Sequence, residues 1–481
     1  MKAYFLYNHE INIDLLLGKL NISYGSTIQY EDIQDISLLI PWGNIDQNIT
    51  VPFILNKKAN QLINNKYDQY KIFNTQGIST PIFFDEFNGQ LKFKKLRYVQ
   101  IYHVAVFGQN ILGYFKQKQT QTVNWLNKNI FSMKENINVS EIQALSTKRE
   151  ERRVSQLAIR AVYSLHLDYA LVTVGVTAGE KPWILHVNPY PNLNGKLSSR
   201  FAKMINQFAS EWEKVLKTSH HQVTLGTDPE FVLRDANGNM VLASTFFPRK
   251  GSVGCDDIWT NLDRSQLPIA ELRPKPSPDP RQLAVHLYQT MIMASKRLRN
   301  PKIEWLAGAL PFDGFPIGGH IHFSSIELNS FLLRALDNYL TLTISLFEDP
   351  KGTKRRPKYG FLGDYREKFH KGFEYRTLPS WIVSPTLTKG VFALAKLIAE
   401  NYLYLYQDPL YDIEVQQAYY TGDKEGLKPV VHKLWEELKQ LKDFDNYRIY
   451  LEPLEKLKNK GYVWNEKVDI RRAWKLPPYH R

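Results

Sequence analysis

The stretch Gly318-Gly-His-Ile-His-Phe323 places two imidazoles two residues apart, with one apolar side chain between them. In a β-strand, residues i and i+2 point to the same face, so His320 and His322 would present both rings to one surface. Two such rings can bind a divalent cation. Taken alone, the pattern is more typical of a polar strand face with hydrogen-bonded imidazoles.

Three further pairs of polar residues with the same spacing occur in the second half of the chain. They are Asp228/Glu230, Glu271/Arg273 and Glu374/Arg376. Four such strands side by side would line one sheet face with carboxylates, imidazoles and guanidinium groups. Carboxylates and imidazoles bind divalent cations and Arg binds phosphate, so the combination favours a nucleotide-phosphate site.

Each of these pairs has a simpler interpretation when it is considered by itself. The two Glu/Arg pairs could be cross-strand ion pairs, which are common and contribute little to stability. Asp228-Pro-Glu230 could be a turn, and the His pair leaves open a Zn²⁺ hydrolase. The occurrence of all four pairs in one half of the chain favours a shared site.

The bulk composition is that of a soluble globular protein with two or three domains. The chain has 481 residues, of which 43% are hydrophobic and 23% charged. Charged residues interrupt the longest apolar stretches, and Met1 to Leu20 lacks a signal-peptide core, so no membrane partner is expected. The single Cys255 excludes an internal disulfide and fits a reducing compartment. We therefore expect a cytoplasmic protein.

The net charge of +14 is spread over both halves without a basic tail. A diffuse positive field attracts nucleotides, acidic peptides and nucleic acid alike, and it does not choose among them. We expect no nucleic-acid partner. The densest basic patch, Lys351 to Lys358, is interpreted as a solvated loop or as a mobile lid over phosphates.

Helical and alternating patterns divide the chain near Lys217. The pattern predicts a helix at Glu150 to Leu165, followed by a hairpin of Tyr169 to Val176 and Trp183 to Asn188. In the second half, strands alternate with three predicted helices, which begin at Asp279-Pro280, near Leu328 and at Ser384-Pro385. We predict domains at 1–217 and 218–481, the second with a helical tail after Asp408.

From Thr224 to Asn401 the chain resembles the amidoligase family, the phage-type carboxylate–amine ligases related to glutamine synthetase and glutamate–cysteine ligase. Four motifs carry the resemblance: Gly226-Thr-Asp-Pro-Glu-Phe231, Ala270-Glu-Leu-Arg-Pro274, Gly318-Gly-His-Ile-His-Phe323 and Gly372-Phe-Glu-Tyr-Arg-Thr-Leu-Pro-Ser-Trp381. The resemblance implies a curved antiparallel sheet with helices around ATP and Mg²⁺ or Mn²⁺. It also implies that ATP activates a carboxylate as an acyl phosphate, which an amine attacks to give an amide.

The same resemblance assigns roles to individual residues. The implied metal ligands are Glu230, Glu271, His320, His322 and Glu374. The implied catalytic residues are Asp228, Glu374 and Arg376. The phosphate-binding candidates are Arg273, Arg356, Lys358, Arg366 and Arg376. Asp256 and Asp257 lie in a Gly-rich turn that is expected to border the substrate or amine site.

The first half resembles a reduced ATP-grasp module similar to those in spore-associated proteins. The resemblance rests on Val51-Pro-Phe-Ile-Leu-Asn-Lys57, Asn65-Lys-Tyr-Asp-Gln-Tyr-Lys71, Gln76-Gly-Ile-Ser-Thr-Pro81 and Ile184-Leu-His-Val-Asn-Pro189. Asn188 is retained, but His186 stands where Glu is expected and Thr173 lies near the position of the first acid. A Gly-rich phosphate loop is missing after Pro81. Asp168 is the one candidate for a displaced acid, which keeps a working second ligase site open.

These observations predict a two-domain α+β and α/β protein, with a reduced ATP-grasp-like domain followed by a glutamine synthetase-like domain. The predicted function is an ATP- and Mg²⁺-dependent carboxylate–amine ligase acting on an amino acid, peptide or protein. The first domain would position a peptide substrate or a partner, or serve as a structural dimerisation module, which leaves room for a homo-oligomer. The alternative is a non-catalytic scaffold or peptide-binding protein derived from two ligase folds.

Overall fold

The computed structural model describes residues 2–9, 11, 13–28, 30–44, 49–57, 59–117, 139–193, 195–218, 222–260, 263–368 and 372–479. The chain divides into two compact units, Met1–Thr218 and Ser219–Arg481. Within the described ranges, no helix is both long enough and apolar enough to cross a membrane.

The N-terminal unit combines a parallel sheet, an antiparallel sheet and a short hairpin. Its strands are β1 (Lys2–Tyr7), β2 (Ser23–Gly25), β3 (Ile36–Trp42), β4 (Phe53–Ile54), β5 (Ile82–Asp85), β6 (Gln90–Phe93), β7 (Tyr98–Phe107), β8 (Asn110–Gln117), β9 (Val139–Ile142), β10 (Tyr169–Thr177) and β11 (Pro182–Asn188). Its helices are α1 (Asp14–Leu17), α2 (Ala59–Asn64), α3 (Lys66–Thr75), α4 (Lys148–Ser164) and α5 (Gly195–Lys217). The parallel sheet has the order β2-β1-β3-β4, the antiparallel sheet has the order β11-β10-β7-β8-β9, and β5 pairs with β6.

The helix and hairpin predicted for residues 150–188 are confirmed. Helix α4 begins after Thr147, whose side chain accepts a hydrogen bond from the backbone N–H of Glu150 at 3.0 Å. Strands β10 and β11 form the predicted antiparallel hairpin. The core of this unit is aromatic, because Tyr169 stacks between Trp42 and Phe107 with ring centroids 5.2 and 5.5 Å apart.

The C-terminal unit consists of two antiparallel sheets covered by helices, as the sequence predicts. Its strands are β12 (Thr224–Thr227), β13 (Glu230–Arg234), β14 (Met240–Val241), β15 (Val253–Cys255), β16 (Ile269–Leu272), β17 (Glu304–Leu306), β18 (Ile321–Ser324), β19 (Tyr365–Glu367) and β20 (Phe373–Tyr375). Its helices are α6 (Pro280–Arg297), α7 (Ser330–Ala335), α8 (Leu342–Ser345), α9 (Pro385–Asn401), α10 (Ile413–Thr421), α11 (Lys424–Lys439), α12 (Phe444–Asn459) and α13 (Arg471–Trp474). One sheet has the order β12-β18-β20-β19, and the other has the order β14-β13-β16-β15 with β17 paired to β13.

The expectation that the four motif strands lie side by side is wrong, because two of them belong to each sheet. The chain crosses from one sheet to the other at Asp228-Pro229, between β12 and β13. Pro229 has no N–H to donate to a strand ladder, so β12 cannot continue through it. Asp228 and Glu230 are therefore not neighbours on one strand face, and Asp228-Pro229 forms a break between β12 and β13 that is neither strand nor turn.

The helix starts in this unit follow their sequence signals. Asp279 caps α6 by accepting from the N–H of Arg281, and Ser384 caps α9 by accepting from the N–H of Leu387. The predicted helix near Leu328 runs from α7 to α8 through a π-helical segment, Leu336–Thr341. In that segment, Asp337 accepts a hydrogen bond from the hydroxyl of Tyr375, which ties the helix to β20.

Candidate active site

A row of functional side chains crosses the first sheet of the C-terminal unit. Gly226 on β12 pairs with His322 on β18, His322 pairs with Glu374 on β20, and Glu374 pairs with Arg366 on β19. Residues directly opposite each other in an antiparallel pair share a face. The sheet therefore brings His322, Glu374 and Arg366 together on one surface.

Asp228 joins this row from the crossover between the sheets. Its Oδ1 lies 3.1 Å from Nδ1 of His320, and its Oδ2 lies 3.0 Å from Nε2 of His322. Burial raises the pKa of Asp228, but the bonds and charges of the two imidazoles outweigh burial and hold this pKa well below its usual range. Asp228 is thus a carboxylate in the folded protein.

Glu374 is the most buried carboxylate of the row, with a side chain 1% exposed. Arg376 contacts its Oε1, Lys368 contacts its Oε2, and Arg366 lies 3.7 Å from Oε2. Burial and the charge of Asp228 raise its pKa, but His320, Lys368 and Arg376 reverse the effect and lower it overall. One negative group is therefore surrounded by three side-chain cations.

The second sheet contributes two carboxylates that face each other directly. Glu230 on β13 pairs with Glu271 on β16, an arrangement that is unfavourable when both are charged. Burial, together with the charges of Asp256, Glu271 and Asp228, raises the pKa of Glu230 well above its usual range. Burial and the charge of Asp228 raise the pKa of Glu271 to about 8.

The two sheets meet at the start of the His motif. The backbone N–H of Gly318 donates to Oε2 of Glu230 at 2.7 Å, and the N–H of Glu230 donates to the carbonyl of Gly318 at 2.9 Å. A Cβ on Gly318 would lie 3.0 Å from Cδ2 of His320 and closer still to the far edge of the ring. The close approach of Glu230 and His320 therefore requires glycine at position 318.

The site fits a divalent cation on several physical grounds. One carboxylate oxygen each of Asp228 and Glu374 and a ring nitrogen of His322 lie within 4.8 Å of one another. Nε2 of His322 and Oε2 of Glu374 are buried, and each contacts a charged side chain, Asp228 and Lys368 respectively. Burial and neighbouring carboxylates raise the pKa values of Glu230 and Glu271, and a bound cation would favour their charged forms. A hard cation with mixed oxygen and imidazole ligands would satisfy these groups.

The two Glu/Arg pairs are ion pairs, as the simpler interpretation of each predicted, and they lie on different sheets. Arg273 contacts Glu271 and donates from Nη2 to the carbonyl of Cys255 at 3.0 Å. Arg376 contacts Glu374, and its Nε lies 4.0 Å from Asp364. Each guanidinium group is held at the edge of a carboxylate cluster.

Two of the predicted phosphate-binding residues are not brought into this cluster. Arg356 is buried in an ion pair with Glu348, and its guanidinium lies 4.0 Å from the centre of the Tyr419 ring. Lys358 is exposed, with its Nζ 5.4 Å from the centre of the Tyr359 ring. The segment that was interpreted as a solvated loop or a mobile lid is largely a short 3₁₀ helix, Pro350–Arg355, whose last residue is buried.

The two acidic residues of the Gly-rich turn have different surroundings. Asp256 is half-buried, and its charge contributes to the raised pKa of both Glu230 and Glu271. Asp257 is exposed and pairs with Arg249, whose Nε lies 2.8 Å from Oδ1. Asp256 therefore borders the carboxylate pair, whereas Asp257 faces solvent.

Sequence reasoning missed two residues that support the site, Lys368 and Glu466. Lys368 lies two residues after Arg366, on the same face, and this spacing was the signal that could have revealed it. Glu466 gave no local signal, because it is 156 residues from Leu310, whose N–H donates to Oε2 at 2.9 Å. The N–H of Ala309 also donates to its carboxylate. The tail thus fixes the loop that leads to Gly318.

Gly308 packs directly against the carboxylate of Glu466, and this contact gives a testable prediction. Its φ is +126°, and a Cβ there would overlap the carboxylate of Glu466. We expect Gly308→Ala to lower the free energy of unfolding by about 3 kcal/mol through backbone strain and steric overlap. Gly314 is the control, since its φ is +85° with nothing within 4 Å of an added Cβ, and its alanine variant should cost about 1 kcal/mol. Equal losses in denaturant unfolding would contradict the packing argument.

The raised pKa of Glu271 predicts how the free energy of unfolding changes with pH. Between its usual pKa of 4.5 and about 8, the folded protein holds a proton that the unfolded chain has released. Stability in EDTA should therefore fall as pH rises through this range, and saturating Mg²⁺ should reduce the slope by replacing the proton. Melting temperatures of wild type and Glu271→Gln from pH 5 to 8.5 test this. A variant slope in EDTA identical to that of wild type would exclude Glu271 as the source.

In the N-terminal unit, the residues at the expected metal positions, Thr173, His186 and Asn188, are neutral. Thr173 pairs in register with both His103 and His186, and its Oγ1 lies 3.1 Å from Nδ1 of His103. Burial lowers the pKa of His103 to about 4 and lowers that of His186. Asn188 accepts from the N–H of Tyr190 at 3.0 Å.

Asp168 is occupied by a structural contact in the same unit. Its Oδ2 accepts from the backbone N–H of Asn56 at 2.6 Å, and its own N–H donates to the side chain of Asn56 at 2.5 Å. The residue is 2% exposed. This reciprocal contact joins a loop to the start of β10 and accounts for the burial of the carboxylate.

Comparisons with known proteins give a family match for most of the C-terminal unit and a set of similar solved structures. Residues 225–476 match the family described as phage phiEco32-like COOH.NH2 ligase-type 2. The solved structures that match include D-alanine–D-alanine ligase from Bacillus anthracis, at 12% identity and a TM-score of 0.33, over 45% of this chain and 100% of that chain. An ATP-grasp ligase from Chryseobacterium gregarium, in complex with ADP and a leader and core peptide, matches at 11% identity and a TM-score of 0.31, over 44% and 97%. No curated protein matches significantly.

The family match includes all four paired motifs, from Asp228 to Arg376, and continues through Glu466. It spans more than half of the chain, and it covers the residues that the two antiparallel sheets bring together. The chain belongs to the phage phiEco32-like COOH.NH2 ligase family, type 2, a family of ATP-dependent carboxylate–amine ligases.

Proposed function

We propose that the enzyme joins a substrate carboxylate to an amine at the cluster between the two sheets, with ATP as the phosphoryl donor. The observation that carries this proposal is the placement of Asp228, His322 and Glu374 beside the facing pair Glu230 and Glu271. These ligands are suited to divalent cations that hold phosphate oxygens.

The metal ligands in this proposal come from both sheets. Asp228, His322 and Glu374 form one group, with His320 orienting Asp228 through its Nδ1 at 3.1 Å. Glu230 and Glu271 form a second group, with Asp256 at its border. Mg²⁺ or Mn²⁺ bound there would neutralise the phosphates and polarise the γ-phosphoryl group. The imidazole in the first group shifts its preference toward Mn²⁺.

The proposed reaction has two steps. An oxygen of the substrate carboxylate attacks the γ-phosphorus of ATP, the bond to the bridging oxygen breaks, and ADP leaves. The amine nitrogen then attacks the acyl carbon, the carbon–oxygen bond to phosphate breaks, and the amide, phosphate and a proton are released. Arg376 and Arg273 stabilise negative charge that develops on the phosphoryl oxygens, as fixed guanidinium groups do in phosphoryl transfer.

The substrate class in this proposal is an amino acid, peptide or protein, and the N-terminal unit positions it. Supporting this, the positions of the missing acids hold Thr173 and His186, and the pKa of His186 is lowered, so this unit has little charge with which to hold a metal-bound nucleotide. We infer that this unit does not bind ATP and instead holds the substrate in position. The proposed reaction takes place in the C-terminal unit.

Nucleotide-dependent stabilisation and ADP release test the proposed function together. A ligand that binds only the folded state adds about 2.7 kcal/mol of stability at a hundredfold excess over its dissociation constant. We expect Mg²⁺ with a non-hydrolysable ATP analogue to raise the melting temperature of wild type and of Asp257→Asn, an exposed neighbour outside the cluster. Glu230→Gln should abolish the shift.

Candidate acids and amines are then screened for ADP release. A full complement of bound metal with no nucleotide effect and no ADP formation would favour the scaffold alternative. Stoichiometric Zn²⁺ in the purified protein, with activity that needs no ATP, would favour a hydrolase instead.

A further inference from the structure

Lys368 occupies a position in the site that neither the motif pairs nor the proposed mechanism uses. It follows β19 directly, and its N–H donates to the carbonyl of Gly372 at 2.8 Å. Its ammonium group contacts Oε2 of Glu374, the oxygen opposite the one that Arg376 contacts. Its side chain is 22% exposed, so the ammonium group lies between the buried carboxylate and solvent.

The strand geometry places Lys368 on the reactive face. Arg366 pairs directly with Glu374, and Lys368, one residue beyond the end of β19, donates its N–H to the carbonyl of Gly372 and contacts the Glu374 carboxylate. Lys368 and Arg366 therefore lie on the face that carries His322 and Glu374. Within the described residues, the cations in contact distance of Glu374 are Arg366, Lys368 and Arg376.

The contact between Lys368 and Glu374 competes with metal binding. Oε2 of Glu374 is one of two oxygens through which this residue can join the ligand group with Asp228 and His322. A divalent cation that takes this oxygen must displace the ammonium group. Lys368 can move away because its charge lies at the end of a flexible four-carbon chain. The planar guanidinium group of Arg376 is more rigidly held in its contact with Glu374.

The displaced ammonium group has one chemically suitable destination on this face. A divalent cation and two arginines already favour an anion there, and the triphosphate of ATP supplies several phosphate oxygens. An ammonium group near a bound phosphate gains charge-assisted hydrogen bonds. The same movement would free the metal ligand and add a phosphate contact.

We propose that Lys368 is a phosphate-binding residue of the ligase site, and that in the metal-free enzyme its ammonium group serves as the counter-ion of Glu374. Divalent cation binding releases Lys368 from Glu374, and nucleotide binding captures it on the triphosphate. This inference rests on the proposed function, because it requires metal and nucleotide at this cluster. It predicts that neutralising Lys368 strengthens the binding of the divalent cation and weakens the binding of the nucleotide.

The test measures two affinities separately on the full-length protein. Mn²⁺ binding without nucleotide is measured by calorimetry, and binding of a non-hydrolysable ATP analogue is measured at saturating Mg²⁺. Lys368→Gln should bind Mn²⁺ several-fold more tightly, because the competing cation is gone. It should bind the analogue about tenfold more weakly, as expected for loss of a charge-assisted hydrogen bond.

Two further variants separate a direct role from a structural one. Lys368→Arg should regain most of the analogue affinity, because guanidinium also binds phosphate. Lys428→Gln should leave both affinities unchanged, because Lys428 is exposed on α11 and pairs there with Glu425. A fall of both affinities in Lys368→Gln, without recovery in Lys368→Arg, would indicate a structural role and overturn the inference.

The remaining outcomes distinguish this inference from the proposed function. If wild type binds Mn²⁺ and the analogue, and Lys368→Gln matches it in both, the inference is overturned while the proposed function stands. If wild type binds neither ligand, both are overturned. Tighter Mn²⁺ binding together with weaker analogue binding supports both.

Discussion

Glu374→Gln is expected to lower kcat for ADP release by about 10²–10³-fold, the range seen when one preorganised electrostatic contact is removed from an active site. The substitution keeps the shape of the side chain and removes its charge. In wild type this charge lies against Arg376, Lys368 and Arg366 and within 3.4 Å of Nδ1 of His320. A neutral amide would leave three cations without their shared anion and would be a poor ligand for a divalent ion.

The measurement is steady-state ADP release with the best acid and amine pair, together with Mn²⁺ affinity. Both kcat and Mn²⁺ affinity should fall, because the carboxylate acts through the metal. Glu367→Gln is the matched control, since Glu367 lies on the adjacent strand β19, is exposed, and points to the opposite face. Wild-type turnover in Glu374→Gln would remove this carboxylate from the mechanism, whereas loss in both variants would indicate a general effect on the hairpin.

The site could be predicted largely because its chemistry repeats at short range. The spacing of two residues in each motif is a local property, and strand geometry converts it into a shared face. This reasoning predicted that His322, Glu374 and Arg376 lie close together. In the structure His322 and Glu374 pair in register on β18 and β20, and Arg376 contacts Glu374. The helix caps at Asp279 and Ser384 were predictable for the same reason, since a cap depends on the two or three residues that follow it.

The arrangement of the sheets could not be obtained from the same spacing. Four similar motifs look like four neighbouring strands until the effect of Pro229 is considered, because a missing N–H ends one ladder and lets the chain enter another sheet. The result is two groups of candidate ligand residues, on different sheets, rather than one row. The charge repulsion between Glu230 and Glu271 follows from this pairing, which no local pattern specifies.

The other residues that sequence reasoning missed or misplaced depend on contacts between segments far apart in the sequence. Glu466 holds the N–H groups of Ala309 and Leu310, and nothing near position 466 in the sequence indicates a partner so far away. Arg356 was predicted to be a phosphate contact from the family resemblance. Its actual partners are Glu348 and Tyr419, which come from two other segments of the unit.

Replacing Arg356 by Met is therefore expected to destabilise the fold rather than weaken nucleotide binding selectively. The side chains of Arg356 and Glu348 are 1% and 4% exposed, and Arg356 also donates to the carbonyl of Tyr419. Removing one partner of a buried ion pair leaves the other charge without compensation, which costs about 3–5 kcal/mol. Denaturant unfolding of wild type and Arg356→Met measures this loss, and calorimetry measures analogue affinity in the fraction that remains folded.

The double variant Glu348→Met/Arg356→Met distinguishes an ion-pair effect from simple loss of packing. Two apolar side chains of similar volume remove both charges, so most of the stability lost in Arg356→Met should return. Analogue affinity should stay near that of wild type in every folded variant, because the Arg356 guanidinium is buried between Glu348 and Tyr419. If Arg356→Met instead kept its stability and bound the analogue at least tenfold more weakly, the phosphate-binding role predicted from sequence would be correct. The buried pair would then have to open when nucleotide binds.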